Sequence, residues 1–190
     1  MRLVLATGNP HKQREFARLL PHHELVPLPP EVQLPAETGA TFAENALLKA
    51  RAAARATRSP AIADDSGIEA AALSGAPGIR SARYAGPGAD DAANLAKLRR
   101  EAPAGSALAY VCALAYVDPA TGEERLFEGR CTGTLAEEAR GERGFGYDPA
   151  FIPDDGGGHG ATMAELEDAA KDAISHRGRA ARELERWLAS

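Results

Sequence analysis

The chain has few of the features that mark nucleic-acid-binding, membrane or disulfide-stabilised proteins. Its 190 residues include two cysteines, and 22 basic residues stand against 27 acidic ones, for a formal net charge of -5. Because no Lys/Arg-rich block occurs, no nucleic-acid polymer is expected as a partner. No apolar run approaches the roughly 20 residues of a membrane-spanning helix, so no membrane association is predicted. Cys112 and Cys131 have neither metal-ligand spacing nor the density of a disulfide framework.

A signal-peptide pattern and an abundance of lysine are also missing. Residues 1–7, MRLVLAT, are typical of a strand, and with the low cysteine content they predict a reduced, cytoplasmic protein. Arginine supplies 18 of the 22 basic residues. A lysine is therefore a mild indication that a compact point charge is needed. The four lysines are Lys12, Lys49, Lys97 and Lys171.

The order of apolar and amphipathic segments predicts an α/β fold. Strands are expected at residues 2–7, 25–28, 60–65, 107–117 and 124–136 and near 151, and helices at 10–20, 41–57, 91–101, from about 163, and after 175. Residues 107–117, ALAYVCALAYV, are apolar at odd and even positions alike, as in a central strand that is buried on both faces. The strand at 60–65 is expected to end at Ser66 and Gly67. Without repeats or a linker, residues 1–190 are predicted to be one domain.

Two glycine-rich stretches are predicted to be loops. Residues 74–90, SGAPGIRSARYAGPGAD, are expected to form a long functional loop. Residues 154–160, DDGGGHG, are expected to form a mobile loop tip.

The turn at residues 7–12, TGNPHK, is the first candidate binding site. Asn9 suits the N-cap of a helix and Pro10 its first position, so free N–H groups of the first turn would point at an anion. Lys12 would add a full positive charge. The turn lacks the GxxxxGK[ST] pattern of a P-loop, and taken alone it is more often an ordinary strand–helix connection.

Three acidic residues form the second candidate. Asp64 and Asp65 are the last residues of the predicted strand at 60–65, and Glu37 precedes a helix capped by Thr41 and Glu44. Mg²⁺ binds one or two carboxylates together with substrate phosphates, and α/β sheets bind ligands at strand ends. Solvated loop acids are an equally favoured alternative. Since successive residues of a strand point to opposite faces, Asp64 and Asp65 are expected to have different tasks.

Two further candidates lie in the second half of the chain. In residues 144–149, GFGYDP, the glycines leave Phe145 able to stack on a base, although a hairpin with a buried Phe145 fits equally. Ser175 is predicted to cap the last helix and to place His176 and Arg177 in its first turn, where positive charge opposes the helix dipole. This conflict favours a functional role, the alternative being a surface Arg177 paired with an acid. Lys171 precedes them.

Together these stretches resemble the inosine triphosphate pyrophosphatase family, the house-cleaning dITP/XTP pyrophosphatases. The matching segments span nearly the whole chain in the family's order. They are LATGNPHK (5–12), ETGATFAENALLKA (37–50), IADDSG (62–67), GAPGIRSARYAG (75–86), GFGYDPAFIP (144–153) and AELEDAAKDAISHRGRA (164–180). Two departures occur: Ala170 stands where the family commonly has glutamate, and the insert at 154–160 is unusual.

The resemblance implies an elongated mixed β-sheet with flanking helices, two lobes around a central nucleotide-binding cleft, and a homodimer. It implies Mg²⁺-dependent hydrolysis of ITP, dITP or XTP to the monophosphate and pyrophosphate. Glu37 and Asp65 would bind Mg²⁺, Asp65 would be the general base, and Asp64 would have a supporting role, hydrogen-bonded to nearby backbone. The implied substrate-binding residues are Thr7, Gly8, Asn9, Pro10, His11, Lys12, Ser66, Phe145, Gly146, Tyr147, Asp148, Lys171, His176 and Arg177.

Base selection is expected to rest on the 6-oxo group of hypoxanthine and xanthine. A donor such as Arg177 or a backbone N–H pairs with a keto oxygen but faces the amino group of adenine as donor to donor. Three rival interpretations stay open. They are a non-catalytic nucleotide sensor, a phosphatase releasing orthophosphate or a pyrophosphatase for modified pyrimidines, and a structural protein assembling through residues 107–117. The presence of both Glu37 and Asp65 counts against the sensor.

Overall fold

The structure is a computed structural model that describes residues 1–155 and 160–190. Its strands are β1 (Arg2–Leu5), β2 (Glu24–Pro27), β3 (Ala61–Ala70), β4 (Ala107–Val117), β5 (Glu124–Leu135) and β6 (Phe151–Pro153). Its helices are α1 (Pro10–Leu19), α2 (Phe42–Thr57), α3 (Asp91–Glu101), α4 (Asp168–Ile174) and α5 (His176–Leu188).

Within the described residues the strands form one six-stranded sheet in the order β2-β1-β3-β4-β5-β6. Strand β1 is parallel to β2 and β3, whereas β5 and β6 are antiparallel. The predicted α/β fold with a mixed sheet and flanking helices is confirmed. The central position of β4 agrees with its sequence, because the side chains on both faces of this strand are apolar.

The described chain divides into two compact units. Unit 1 comprises Met1–Asp65, Cys112–Gly129 and Arg177–Ser190, and unit 2 comprises Ser66–Val111 and Arg130–His176. Each unit has its own apolar core. The core of unit 1 includes Leu3, Phe16, Ile62, Leu114 and Leu184. The core of unit 2 includes Ile68, Leu98, Tyr110, Phe151 and Met163. One domain with lobes around a cleft stays a prediction.

Strand β3 is longer than the sequence predicts. The expected end at Ser66 and Gly67 is wrong, because the strand continues into unit 2, where Ile68 and Ala70 are completely buried. Asp64 and Asp65 therefore lie within a strand. The neighbouring strand β1 ends at Leu5, opposite Ile62, so both aspartates extend past the carboxyl end of β1.

The helix predicted from about Met163 begins only at Asp168. Met163 and Ala164 are buried, and their backbone bonds to other segments. The N–H of Met163 donates to the carbonyl of Phe151 (2.8 Å), and the carbonyl of Ala164 accepts from Arg143 (3.0 Å). These bonds replace those that a helical turn needs.

The two predicted loops have different outcomes. A short 3₁₀ helix at Gly78–Arg83 takes up part of the stretch expected to be a loop at 74–90, and another at Ala71–Leu73 comes directly before that stretch. Of the predicted loop tip at 154–160, residues 156–159 lie outside the described residues. Among the residues described, none of the helices has both the length and the apolarity to cross a membrane.

Candidate functional site

The turn from β1 into α1 is capped by Asn9. Its side-chain oxygen accepts hydrogen bonds from the N–H groups of His11 (2.8 Å) and Lys12 (3.4 Å), and its own N–H donates to Thr7 Oγ1 (3.1 Å). The prediction that these first-turn N–H groups are free for an anion is wrong for His11 and Lys12, because the cap uses them. The charge that this turn offers to a ligand is on the Lys12 side chain.

Four charged side chains of unit 1, which we call the Asp64 cluster, are Lys12, Glu15, Asp64 and Arg177. Lys12 Nζ lies 2.9 Å from Asp64 Oδ2, and Arg177 Nε lies 3.3 Å from the same oxygen. Arg177 Nη1 lies 3.0 Å from Glu15 Oε2. Two positive and two negative charges balance. Arg177, 5% exposed, is therefore not the surface arginine of the alternative interpretation.

The Asp64 cluster explains why positive charge is tolerated at the start of α5. Two carboxylates offset the unfavourable helix dipole at Arg177. The pKa of Asp64 is lowered: burial opposes its ionisation, but the charges of Lys12, Arg177 and Lys49 outweigh burial. Asp64 thus stays ionised and binds two cationic side chains, a stronger role than the backbone hydrogen bonding that the sequence suggested.

A second group of unit 1, which we call the Asp65 cluster, contains Glu37, Asn45, Lys49 and Asp65. Lys49 Nζ donates to Glu37 Oε1 (2.7 Å) and to Asp65 Oδ1 (3.2 Å). Asn45, which is completely buried, donates from Nδ2 to Asp65 Oδ2 (3.1 Å). Asp64 contacts residues of α1 and α5, whereas Asp65 contacts residues of α2. The predicted division of the two aspartates between opposite faces is therefore confirmed.

The Asp65 cluster differs from the Asp64 cluster in its net charge and in the pKa shift of its aspartate. The pKa of Asp65 is raised by burial and by the Glu37 charge, although Lys49 works against the rise. The pKa of Glu37 is lowered, because hydrogen bonding and charge from Lys49 exceed the opposing effect of burial. One lysine against two carboxylates leaves a net negative charge. A buried group with net negative charge favours the binding of a proton or a metal cation.

The donor set of the Asp65 cluster fits Mg²⁺. Glu37 and Asp65 converge on one ammonium group, so their oxygens lie close together. Mg²⁺ is usually bound by one or two carboxylates and completes its coordination with waters and substrate phosphates. In the described part of the chain, no three His, Cys, Asp or Glu side chains gather as a metal-binding group. Two carboxylates are the protein ligands that Mg²⁺ commonly has when substrate phosphates complete its coordination.

Unit 2 contains a third group, which we call the Asp148 cluster: Tyr110, Asp148, Lys171 and His176. Lys171 Nζ lies 2.7 Å from Asp148 Oδ2, and the Tyr110 hydroxyl donates to Asp148 Oδ1 (3.0 Å). The rings of Tyr110 and His176 are stacked, with centroids 4.6 Å apart and planes at 6°. All four side chains are buried. Three of them are residues that the sequence predicted for substrate binding.

The glycine-flanked turn before Asp148 contributes two kinds of residue. Phe145 is half-buried, its N–H donates to Asp148 Oδ2 (2.9 Å), and Lys171 Nζ lies 5.4 Å from its ring centroid. Tyr147 instead donates from its hydroxyl to the carbonyl of Ser81 (2.8 Å) inside unit 2. Of the predicted aromatic pair, Phe145 is therefore the better candidate for a base contact, and Tyr147 supports the turn. Ser66, also predicted, is half-buried in β3.

Replacement of Gly144 by alanine is expected to disrupt the Asp148 cluster. A Cβ at Gly144 would lie 2.1 Å from Asp148 Oδ2 and 3.1 Å from Lys171 Nζ. Gly144 and Gly146 both have positive φ, +73° and +64°, so alanine strains the backbone at either position by about 1–2 kcal/mol. At Gly146 the added Cβ has no described atom within 4 Å. Urea unfolding should show a clearly larger stability loss for Gly144→Ala than for Gly146→Ala; equal losses would contradict the proposed clash.

Four residues of these clusters were not among the predicted site residues: Glu15, Asn45, Tyr110 and Lys49, of which Lys49 stood out only as one of the few lysines. Glu15 follows Lys12 by three positions, which places both on one face of α1. Asn45 lies on the buried face of α2, which also contains Phe42 and Ala46. A polar residue on an apolar helix face is a usable signal for the first two. Tyr110 carries no such signal, because a tyrosine in an apolar strand is ordinary.

A comparison with known protein families gives a match over nearly the full length of the chain. The model of the Ham1 family matches residues 3–187. The chain belongs to the Ham1 family. It is 50% identical over 197 residues to a dITP/XTP pyrophosphatase of Frankia alni, covering 97% of this chain and 95% of that protein. It is 51% identical over 190 residues to a dITP/XTP pyrophosphatase of Rhodospirillum centenum, covering 96% and 92%.

Solved structures of the Ham1 family have the same fold. A HAM1 protein from Coxiella burnetii superposes with a TM-score of 0.87 at 39% identity, covering 100% of this chain and 98% of the other. At that identity over full length, both the fold and the family resemblance predicted from the motifs are confirmed.

Proposed function

We propose that this Ham1-family chain hydrolyses dITP, XTP and ITP at the bond between the α- and β-phosphates, releasing a nucleoside monophosphate and pyrophosphate. This would remove deaminated purines from the nucleotide pool. Relatives at about half identity are named dITP/XTP pyrophosphatases. The observation that carries the proposal is the Asp65 cluster, where a buried carboxylate with a raised pKa lies beside a second carboxylate and a lysine.

Asp65 is the proposed general base. Asn45 and Lys49 hold its carboxylate beside that of Glu37, and a carboxylate within hydrogen-bond reach of the attacking water can accept its proton. The carboxylate takes a proton from the attacking water as its oxygen bonds to the α-phosphorus. The bond from this phosphorus to the bridging oxygen then breaks, and pyrophosphate leaves with the bonding electron pair. Lys12 and Lys49 offset the negative charge of the phosphates.

Glu37 and Asp65 would hold Mg²⁺, whose charge would neutralise phosphate oxygens that these carboxylates would otherwise repel. Lys49 holds both carboxylates in their present positions. Asn45 ties Asp65 to the loop that carries Glu37, because its Oδ1 also accepts from the N–H of Gly39 (2.8 Å). These contacts orient the two proposed ligands from the protein side.

The nucleoside is proposed to contact Phe145, Asp148, Lys171 and His176, with Phe145 stacking on the base. Two of the N–H groups of Arg177 already donate to Asp64 and Glu15. Lys171 also donates to Asp148 (2.7 Å), but its ammonium lies 5.4 Å from the centroid of the Phe145 ring that is proposed to stack on the base, so Lys171 is the proposed donor to a 6-oxo group. A mismatched donor costs about 1–3 kcal/mol of binding free energy, which corresponds to roughly 5- to 150-fold discrimination against adenine.

A homodimer and a cytoplasmic location stay predictions from the sequence.

A nucleotide panel with Mg²⁺ tests the proposed function. XTP, ITP and dITP should each yield pyrophosphate, and ATP should react more slowly by the factor given above. Pyrophosphate and orthophosphate are measured separately in each reaction. Orthophosphate as the first product would favour the phosphatase alternative, and tight binding without turnover would favour the sensor. Cleavage of ATP as fast as ITP would contradict the specificity, and faster cleavage of modified pyrimidine triphosphates would contradict the substrate class.

A further inference from the structure

Tyr110 of β4 contacts two residues of the proposed nucleoside site at once. Its hydroxyl donates to Asp148 Oδ1 (3.0 Å), and its ring stacks on His176 with centroids 4.6 Å apart. The same ring packs against Phe151, 4.6 Å away and tilted by 38°. Asp148 begins a 3₁₀ turn, and His176 is the first residue of α5. One side chain of the sheet therefore fixes two separate segments of unit 2.

Core packing alone does not require the Tyr110 hydroxyl. Tyr110 is 6% exposed and belongs to the apolar core of unit 2, where a phenylalanine ring would occupy nearly the same space. Burying a hydroxyl is costly unless it has a hydrogen-bond partner. Asp148 is that partner, and a hydrogen bond to a carboxylate is among the stronger ones.

The bond from Tyr110 completes the hydrogen bonding of Asp148 on both oxygens. Asp148 Oδ2 accepts from Lys171 Nζ (2.7 Å) and from the N–H of Phe145 (2.9 Å). Tyr110 is the donor to the other oxygen, Oδ1. Without the hydroxyl, the Lys171 and Phe145 bonds hold one oxygen, and the carboxylate can rotate about it. The orientation of Asp148 therefore depends on Tyr110.

We propose that Tyr110 is a positioning residue for nucleotide binding, which orients the Asp148 carboxylate through its hydroxyl and the His176 imidazole through ring stacking. This inference rests on the proposed function, in which Asp148 and His176 contact the nucleoside. Tyr110 itself acts through these two residues. Its hydroxyl contributes to ground-state binding more than to the chemical step, because the Asp65 cluster is a separate group of side chains.

The test is Tyr110→Phe, with Tyr116→Phe as its matched control. Tyr116 is a second buried tyrosine of β4, but its ring packs against Trp187 in unit 1. Tyr110→Phe should raise KM for XTP by about tenfold while kcat changes less than about twofold, as expected when uniform binding is lost. Tyr116→Phe should leave both values unchanged. The dissociation constant of XTP without metal, measured by calorimetry, should rise with KM.

A double-mutant cycle separates positioning from mere stabilisation. If Tyr110 acts through Asp148, the effects of Tyr110→Phe and Asp148→Asn on KM should combine to much less than their product. A lower melting temperature with unchanged KM and dissociation constant would overturn the inference while leaving the proposed function intact. A wild-type protein that binds XTP without cleaving it would overturn the proposed function, and the dissociation constants would still decide the role of Tyr110. Wild-type protein that neither binds nor cleaves XTP would overturn both.

Discussion

Replacement of Asp65 by asparagine is expected to reduce pyrophosphate release from XTP by about 10²- to 10⁴-fold, the usual contribution of a general base. Asparagine has nearly the same shape but cannot accept the proton of the attacking water. Lys49 would keep its bond to Glu37 (2.7 Å), so the fold should survive. The measurement is pyrophosphate release under saturating Mg²⁺ and nucleotide, with circular dichroism spectra and melting curves recorded on the same samples.

A second readout addresses the metal directly. Asp65→Asn removes one of two proposed carboxylate ligands, so the Mg²⁺ affinity measured by calorimetry with a non-hydrolysable nucleotide should fall as well. Lys97→Ala is a suitable control, because Lys97 belongs to unit 2 and donates to the carbonyl of Tyr84 there (2.8 Å). Near-normal turnover of Asp65→Asn would refute the assignment of Asp65 as the base.

The neighbouring substitution, Asp64→Asn, is expected to act mainly on stability. It would leave the buried Arg177 and the half-buried Lys12 with one carboxylate, Glu15, in place of two. Removing one partner of a buried ion pair typically costs about 3–5 kcal/mol of unfolding free energy. Urea unfolding at neutral pH measures this loss. Turnover, measured well below the melting temperature, should fall less than in Asp65→Asn; equal inactivation would contradict the division of tasks between the two aspartates.

An exposed ion pair provides the control for Asp64→Asn. Glu124 lies 2.6 Å from Arg51, with side chains 37% and 45% exposed, so Glu124→Gln should cost at most about 1 kcal/mol. The stability loss of Asp64→Asn is also expected to depend on pH. Because the pKa of Asp64 is lower in the folded protein, its contribution is complete above the unfolded pKa of about 3.9 and disappears as the pH falls toward the folded value. The stability gap between wild type and Asp64→Asn should therefore narrow below about pH 4.

Local sequence rules predicted the parts of this structure that depend on near neighbours. The caps at Asn9 and Thr41 depend on residues two or three positions away, and both were found where the sequence placed them. Helix α3 has the predicted bounds, and β4 is central, as its unbroken apolar pattern requires. Candidate site residues could also be selected, because positive charge in the first turn of a helix conflicts with a local stability rule, and because paired carboxylates and lysines stand out in this composition.

The sequence by itself therefore determined the fold class, the family and most of the residues that carry charge in the three clusters. The tertiary structure alone decided their partners. Asp64 binds Arg177 across 113 positions of the chain, and Asp148 receives the hydroxyl of Tyr110 from 38 positions away. Such contacts are set by how elements pack, which no local pattern encodes. The same packing carries β3 past Gly67, because burying Ile68 outweighs the turn signal that the sequence displays.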